Sequence, residues 1–141
     1  MAKDMRVLVA DDQAKVRSAL RLLLMHEPEV EIVGEAVDST GLLDWMKVVC
    51  PDLILLDWEL PGLPGVALLP QLHDCCPRLR VIALSGRPEA RQAALNAGAD
   101  AFASKGDPPE RFLAVVKACR ERHRRNDEQL GCTIQPEPEG V

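Results

Sequence analysis

Five polar residues stand at the ends of four short apolar segments of this 141-residue chain. They comprise three carboxylates, one hydroxyl and one ammonium group: Asp11, Asp12, Asp57, Ser85 and Lys105. Three carboxylates that lie close together repel one another, and they stay ionised only when a cation neutralises them. Hard oxygen ligands of this kind favour Mg²⁺, and a hydroxyl and an ammonium group beside the ion could bind the oxygens of a phosphoryl group.

Asp57 has the most informative position of the five. It closes an apolar run over residues 53–56, and four turn-forming residues follow soon after it: Pro61, Gly62, Pro64 and Gly65. Such a run predicts a strand buried on both faces, as in parallel sheets, where ligands bind just beyond the carboxyl ends of the strands. A carboxylate there can act as a nucleophile and form an aspartyl-phosphate. The alternative is a set of separate turn caps and surface charges, but five suitable residues at strand ends favour one shared site.

Alternating segments along the chain predict the elements that position these residues. The apolar pattern predicts strands over residues 5–10, 30–36, 52–57, 79–84 and 100–104, with helices over 14–26, 39–49, 66–72 and 88–97 and a last helix opening at Pro108. This alternation indicates an α/β fold of the flavodoxin-like type: a (βα)5 three-layer sandwich with parallel strand order 2-1-3-4-5. Strands 1, 3, 4 and 5 are neighbours in that order, so the five polar residues converge on one edge.

Composition bounds the class of protein. The chain is 47% hydrophobic and 28% charged, carries a net charge of −5 and has few aromatic residues, so we expect a globular domain that does not bind nucleic acid directly. We expect no membrane span and no signal peptide. Five cysteines without a C-x-x-C pair predict free thiols, no disulfide framework and a cytoplasmic location. Residues 1–125 form the predicted domain, and residues 126–141 are expected to be a disordered tail.

Four segments, in this order, resemble the receiver domain of two-component response regulators. They are VLVADD (7–12), LILLDWELPGLPG (53–65), VIALSG (81–86) and AGADAFASKG (97–106). The resemblance implies that Asp57 accepts a phosphoryl group from the phosphohistidine of a histidine kinase or phosphotransfer protein. It also implies a Mg²⁺ ion held directly by Asp12, through water by Asp11, and by Asp57 and the backbone carbonyl of Glu59.

The resemblance also assigns roles in switching. Ser85 would hydrogen-bond the phosphoryl group, Lys105 would pair with it, and Phe102 matches the aromatic switch position of the family. Phosphorylation would draw Ser85 and Phe102 inward and change the face formed by the fourth helix and fifth strand. That face would bind an unidentified downstream protein, and a phosphorylation-dependent homodimer is a further possibility. The chain would not be an enzyme beyond phosphorylating and dephosphorylating itself at Asp57.

Some features depart from the commonest pattern or leave alternatives open. Gly106, rather than proline, follows Lys105, and KGDPPERFLAVVKA (105–118) resembles receivers that precede a helix-turn-helix output domain. About twenty residues follow the last predicted helix, so the chain is either a single-domain regulator or part of a longer DNA-binding regulator. A haloacid-dehalogenase-type phosphatase is a weaker alternative, because Glu59 stands where such enzymes usually carry a second aspartate. A module that binds partners without phosphorylation is disfavoured by the five site residues. The Glu59 side chain either tunes the phosphate lifetime or faces solvent without a role.

Overall fold

The computed structural model describes residues 5–134, and its centre is a five-stranded parallel sheet. The strands, in chain order, are β1 (Met5–Ala10), β2 (Val30–Ala36), β3 (Leu53–Asp57), β4 (Arg80–Ser85) and β5 (Ala101–Ser104). They lie in the order β2-β1-β3-β4-β5, and all four neighbouring pairs are parallel. The predicted fold class and strand order are therefore confirmed.

Five helices cover the two faces of this sheet. They are α1 (Ala14–Leu24), α2 (Ser39–Met46), α3 (Gly65–Cys75), α4 (Arg91–Asn96) and α5 (Pro109–Ile134), with a 3₁₀ turn at Pro88–Ala90 before α4. Side chains of α2, α3 and α4 pack with one set of strand residues, and those of α1 and α5 pack with the alternate set. The result is the predicted three-layer sandwich. The central strand β3 is buried at every residue because both faces of the sheet are covered there.

The last helix continues further than the sequence pattern indicated. The expected tail began at residue 126, whereas α5 runs to Ile134. Arginine, glutamate and glutamine have high helix propensity, which apolar periodicity does not report, so the end of the apolar pattern was not the end of the helix. The rest of the expected tail, residues 135–141, lies outside the described residues.

Two cysteines form a disulfide that the sequence did not predict. Cys50 and Cys76 are bonded, with their Cα atoms 5.9 Å apart. Cys50 lies just before β3 and Cys76 just before β4, and because these strands are parallel neighbours, both loops enter the sheet at the same edge. The expectation of free thiols holds for Cys75 and Cys119 but was wrong for this pair, and so it does not support a reducing compartment.

The start of α2 is tied to the loop that follows Asp57. Asp38 is the N-cap of α2, and its carboxylate accepts a hydrogen bond of 2.7 Å from Gly41 N. Ser39 is buried and bonds the loop instead, since its N–H donates to Pro61 O and its hydroxyl accepts from Leu63 N, each at 2.9 Å. These bonds fix the path of the chain directly beyond the carboxyl end of β3.

Candidate functional site

The five polar residues predicted to converge lie together at the carboxyl edge of the sheet. The strand register explains this, because Ala10 pairs with Leu56, Asp57 with Leu84, and Ser85 with Ser104. The strands therefore end at nearly the same level. Lys105 N donates to Ser85 O at 2.8 Å, which extends the ladder by one bond and brings the lysine to the same edge.

Lys105 bridges two buried carboxylates. Its Nζ lies 2.8 Å from Asp11 Oδ2 and 3.3 Å from Asp57 Oδ1. Asp11 is 0% exposed and Asp57 is 3% exposed, so the lysine supplies charge compensation where water cannot. Burial alone lowers the pKa of Lys105, but the adjacent carboxylates of Asp11 and Asp57 outweigh it and hold that pKa above its ordinary value.

The two carboxylates are also oriented by backbone groups. Gln13 N donates to Asp11 Oδ1 at 2.9 Å, and Glu59 N donates to Asp57 Oδ1 at 3.0 Å. Burial raises the pKa of Asp57, and the neighbouring charge of Asp11 raises it further. The hydrogen bond from Glu59 N and the charge of Lys105 lower it only in part, so the pKa of Asp57 remains above its ordinary value.

An arginine that sequence reasoning missed anchors the acidic loop. Arg17 Nη1 donates to the backbone carbonyl of Asp11 at 2.9 Å, and its Nε pairs with Glu35 Oε1 at 2.9 Å. Arg21 also contacts Glu35, and hydrogen bonding to Arg21 is the main cause of the lowered pKa of Glu35. None of the five predicted site residues lies on β2, although Glu35 of that strand supports the site through Arg17. The sequence could have indicated this support through Glu35, near the end of β2, and the two arginines Arg17 and Arg21 on the preceding helix α1.

The acidic cluster has the donors that a divalent cation requires. Asp11, Asp12 and Asp57 each offer one carboxylate oxygen, and these oxygens all lie within 4.8 Å of one another. Asp11 Oδ2 is buried and, among the described residues, has no hydrogen-bond partner, although it contacts the lysine charge. Asp12 is exposed and lines an open pocket of about 410 Å³ together with Asp57, Glu59, Arg87 and Lys105. Oxygen donors beside an open space fit a partly hydrated Mg²⁺ ion.

The Ser85 hydroxyl is engaged by the side chain of Glu59. Ser85 Oγ lies 3.0 Å from Glu59 Oε1 and 2.9 Å from Oε2, and it donates to this carboxylate. Arg87 contributes twice: its backbone N donates to Ser85 Oγ at 3.0 Å, and its Nη2 lies 3.2 Å from Glu59 Oε2. The Glu59 side chain is 39% exposed and also contacts the site, so its contact is not limited to the backbone. The contacts of Arg87 were not foreseen.

Phe102 is already buried. Its side chain is 8% exposed and packs in the core cluster that includes Ala90, Ala94 and Ala99. The resemblance implied that this ring turns inward on phosphorylation, but in this structure the ring is inward without a phosphoryl group. The buried residues of α4 and of the turn before it are Ala94 and Ala90, and alanine side chains bury little area.

Comparison with known proteins decides the family. The model of the response regulator receiver domain matches residues 7–117, which is most of the chain. This chain belongs to the response regulator receiver family. The nitrate/nitrite response regulator protein NarL of Escherichia coli K12 is 32% identical over 112 residues, which cover 78% of this chain and 52% of NarL. The transcriptional regulatory protein DesR of Bacillus subtilis is 28% identical over 112 residues, covering 79% of this chain and 56% of DesR.

Solved receiver structures have the same architecture. A CheY-like receiver domain protein from Methanospirillum hungatei superposes with a TM-score of 0.76 at 26% identity, covering 89% of this chain and 99% of that one. The receiver domain of the Francisella response regulator 1452 gives a TM-score of 0.72 at 27% identity, covering 84% and 98%. The chain spans about half the length of the curated relatives NarL and DesR. Within residues 5–134, no helix is both long and apolar enough to cross a membrane.

Proposed function

We propose that this receiver accepts a phosphoryl group on Asp57 from the phosphohistidine of a histidine kinase or phosphotransfer protein. The observation that carries the proposal is the contact of Lys105 with two buried carboxylates, Asp11 and Asp57, beside an open pocket. Lys105 already lies beside the nucleophile Asp57, so its positive charge is available to the negative oxygens of an incoming phosphoryl group. The lysine can turn from the carboxylates to the incoming phosphoryl oxygens without crossing the site.

The transfer exchanges one bond for another. An Asp57 carboxylate oxygen attacks phosphorus, the P–O bond forms, the histidine P–N bond breaks, and the histidine nitrogen leaves with the electron pair. Asp11, Asp12, Asp57 and the backbone carbonyl of Glu59 would hold Mg²⁺, which neutralises charge on the phosphoryl oxygens when bound. Attack of water on the acyl phosphate would break the bond between phosphorus and the Asp57 oxygen, release inorganic phosphate and return the Asp57 carboxylate.

The signal is proposed to leave through α4 and β5. Ser85 lies at the end of β4, and Phe102 lies on β5 under the alanine-lined face of α4. A change at Ser85 therefore reaches a weakly anchored helix through one strand pairing, which is the kind of element that has two arrangements. The downstream partner is a protein that binds this face, or a second copy of the chain. Nothing in the composition favours direct binding of nucleic acid by this domain, with its net charge of −5.

A phosphotransfer assay tests this function. A histidine kinase domain carrying labelled phosphohistidine is mixed with the receiver in Mg²⁺, and label is expected to move to the receiver and to be lost in Asp57→Asn. A chelator should reduce the rate, because the three carboxylates would then repel the incoming group. Amide hydrogen exchange on the phosphorylated sample should change in α4 and β5 more than in α1. Label that reaches the Asp57→Asn variant equally well would contradict the proposal.

A further inference from the structure

The Ser85 hydroxyl already donates its one proton to another side chain of this protein. Ser85 is 0% exposed, it donates to the Glu59 carboxylate, and it accepts from Arg87 N. A hydroxyl has only one proton to donate. If this hydroxyl is to bind a phosphoryl oxygen, it must first leave the glutamate.

The Glu59 carboxylate offers Ser85 the same chemistry that a phosphoryl group would offer. It presents two anionic oxygens, both within 3.0 Å of Ser85 Oγ, and it lines the same pocket as Asp57 and Lys105. The glutamate follows Asp57 by two residues, and its backbone N–H is fixed by the Asp57 carboxylate. Its position in the site is thus set by the backbone and by the buried hydroxyl together.

The salt bridge to Arg87 contributes less to this arrangement than the hydroxyl does. The side chains of Arg87 and Glu59 are 63% and 39% exposed, and ion pairs of such exposure are weak. The hydrogen bond from Ser85 joins a buried donor to a charged acceptor, and bonds of that kind are among the stronger ones in proteins. The contact between Glu59 and Ser85 is therefore the one whose loss matters.

We propose that Glu59 is a positioning residue that substitutes for the phosphoryl group in the unphosphorylated receiver. It holds Ser85 at the site edge, while Phe102 is already packed inward behind β4 and β5. The phosphoryl group must displace this carboxylate before it can take the hydroxyl, so Glu59 opposes phosphoryl binding. This inference rests on the proposed function, because it assigns a competitor to the same site.

Repulsion by charge alone is the rival explanation, and the two differ in their dependence on Ser85. A carboxylate near an incoming anion repels it whether or not the serine is present. A carboxylate that competes for the hydroxyl opposes binding more strongly when that hydroxyl exists. A double-mutant cycle with Glu59→Ala and Ser85→Ala therefore separates the two effects.

The experiment measures binding of beryllium trifluoride, a phosphoryl analogue, in saturating Mg²⁺ by isothermal titration calorimetry. The proteins are the unchanged chain, Glu59→Ala, Ser85→Ala and the double variant, with thermal melts to verify folding. Glu31→Gln is the control for removal of one negative charge, since Glu31 is exposed and lies near the start of β2, at the opposite edge of the sheet. Asp57→Asn controls for binding at the proposed site.

We expect Glu59→Ala to bind the analogue on the order of tenfold more tightly than the unchanged chain, as removal of a charged hydrogen-bond competitor predicts. In the Ser85→Ala background the same change should gain only about two- to threefold, as a partly exposed charge predicts. Glu31→Gln should have no effect. Equal gains in both backgrounds, or no gain in either, would overturn the proposed competition while leaving the phosphoacceptor site intact. Absence of Asp57-dependent binding in every protein would contradict the proposed function itself, and the competition with it.

Discussion

At the scale of single residues, burying the Asp57 carboxylate beside a second carboxylate has an electrostatic cost. Asp57 is buried next to Asp11, and Lys105 is the one cation that contacts both carboxylates among the described residues. Burial and the second carboxylate keep the pKa of Asp57 above its ordinary value. An ionised carboxylate in this place is therefore less stable than it would be in the unfolded chain.

The raised pKa of Asp57 predicts how the stability of the fold changes with pH, and a stability measurement can check the direction of that change. The unfolded chain titrates Asp57 near its ordinary pKa of 3.8, and the folded chain titrates it at higher pH. Folding thus becomes less favourable as pH rises from 3.8 through the higher pKa of the folded chain. We expect Asp57→Asn to raise the Tm at pH 7, without Mg²⁺, by roughly 2–6 °C.

The same gain should shrink as the pH is lowered through 3.8, because below that value the Asp57 carboxyl group is mostly protonated in both the folded and the unfolded chain. Differential scanning calorimetry of both proteins between about pH 4 and pH 8 measures it. Asp74→Asn, at an exposed position of α3, is the matched control and should leave Tm unchanged at every pH. A lower Tm for Asp57→Asn at pH 7 would show that the Lys105 contact, not burial, dominates.

At the scale of elements, the loop between β3 and α3 sets the geometry around Asp57. Gly62 has a φ of 107°, and a Cβ atom there would lie 2.0 Å from Ser39 Oγ. Gly65 is covered by the Trp58 ring, with an added Cβ 2.2 Å from Trp58 Cζ3. The turn residues after the phosphoacceptor strand are thus needed for close approach to α2 and to Trp58, which their sequence pattern only partly indicated.

Two glycines make a matched test of this loop. Gly98 has a φ of 114° with open space at the Cβ position, whereas Gly62 combines a similar φ with the contact to Ser39. We expect Gly98→Ala to cost about 1 kcal/mol of unfolding free energy, since only backbone strain opposes it. Gly62→Ala should cost roughly 2–4 kcal/mol, because the methyl group must also displace the buried Ser39 hydroxyl.

Urea denaturation of the two variants, beside the unchanged chain, measures both costs. Equal destabilisation at the two positions would mean that the contact of the loop with α2 does not constrain it. In that case the Ser39 hydrogen bonds to Pro61 and Leu63 would not be what fixes the chain beyond Asp57.

At the scale of the whole molecule, apolar periodicity was enough to predict the sheet order and the convergence of five polar residues. Such patterns report burial and alternation, which dictate the layers and strand ends. They do not report contacts between side chains from different strands. The bond between Glu59 and Ser85, and the support of Asp11 by Arg17, depend on side-chain reach across strands and became visible only in the structure.

Two further differences between the predicted and the observed structure also concern features that apolar periodicity does not report. The Cys50–Cys76 bond depends on two loops entering neighbouring strands at one edge, and no spacing in the chain announces it. The extension of α5 to Ile134 is consistent with helix propensity, which an apolar pattern does not report. Site residues at strand ends were predictable because parallel topology brings those ends together, whereas loop-to-loop partners were not.

The central claim is that Asp57 carries the phosphoryl group, and intact mass measures this most directly. Incubation with Mg²⁺ and a small-molecule phosphodonor should add about 80 Da, the mass of one phosphoryl group, to the unchanged chain. The gain should disappear in Asp57→Asn and be reversed by hydroxylamine, which cleaves acyl phosphates. No gain with any donor or kinase, or an equal gain in Asp57→Asn, would contradict the account.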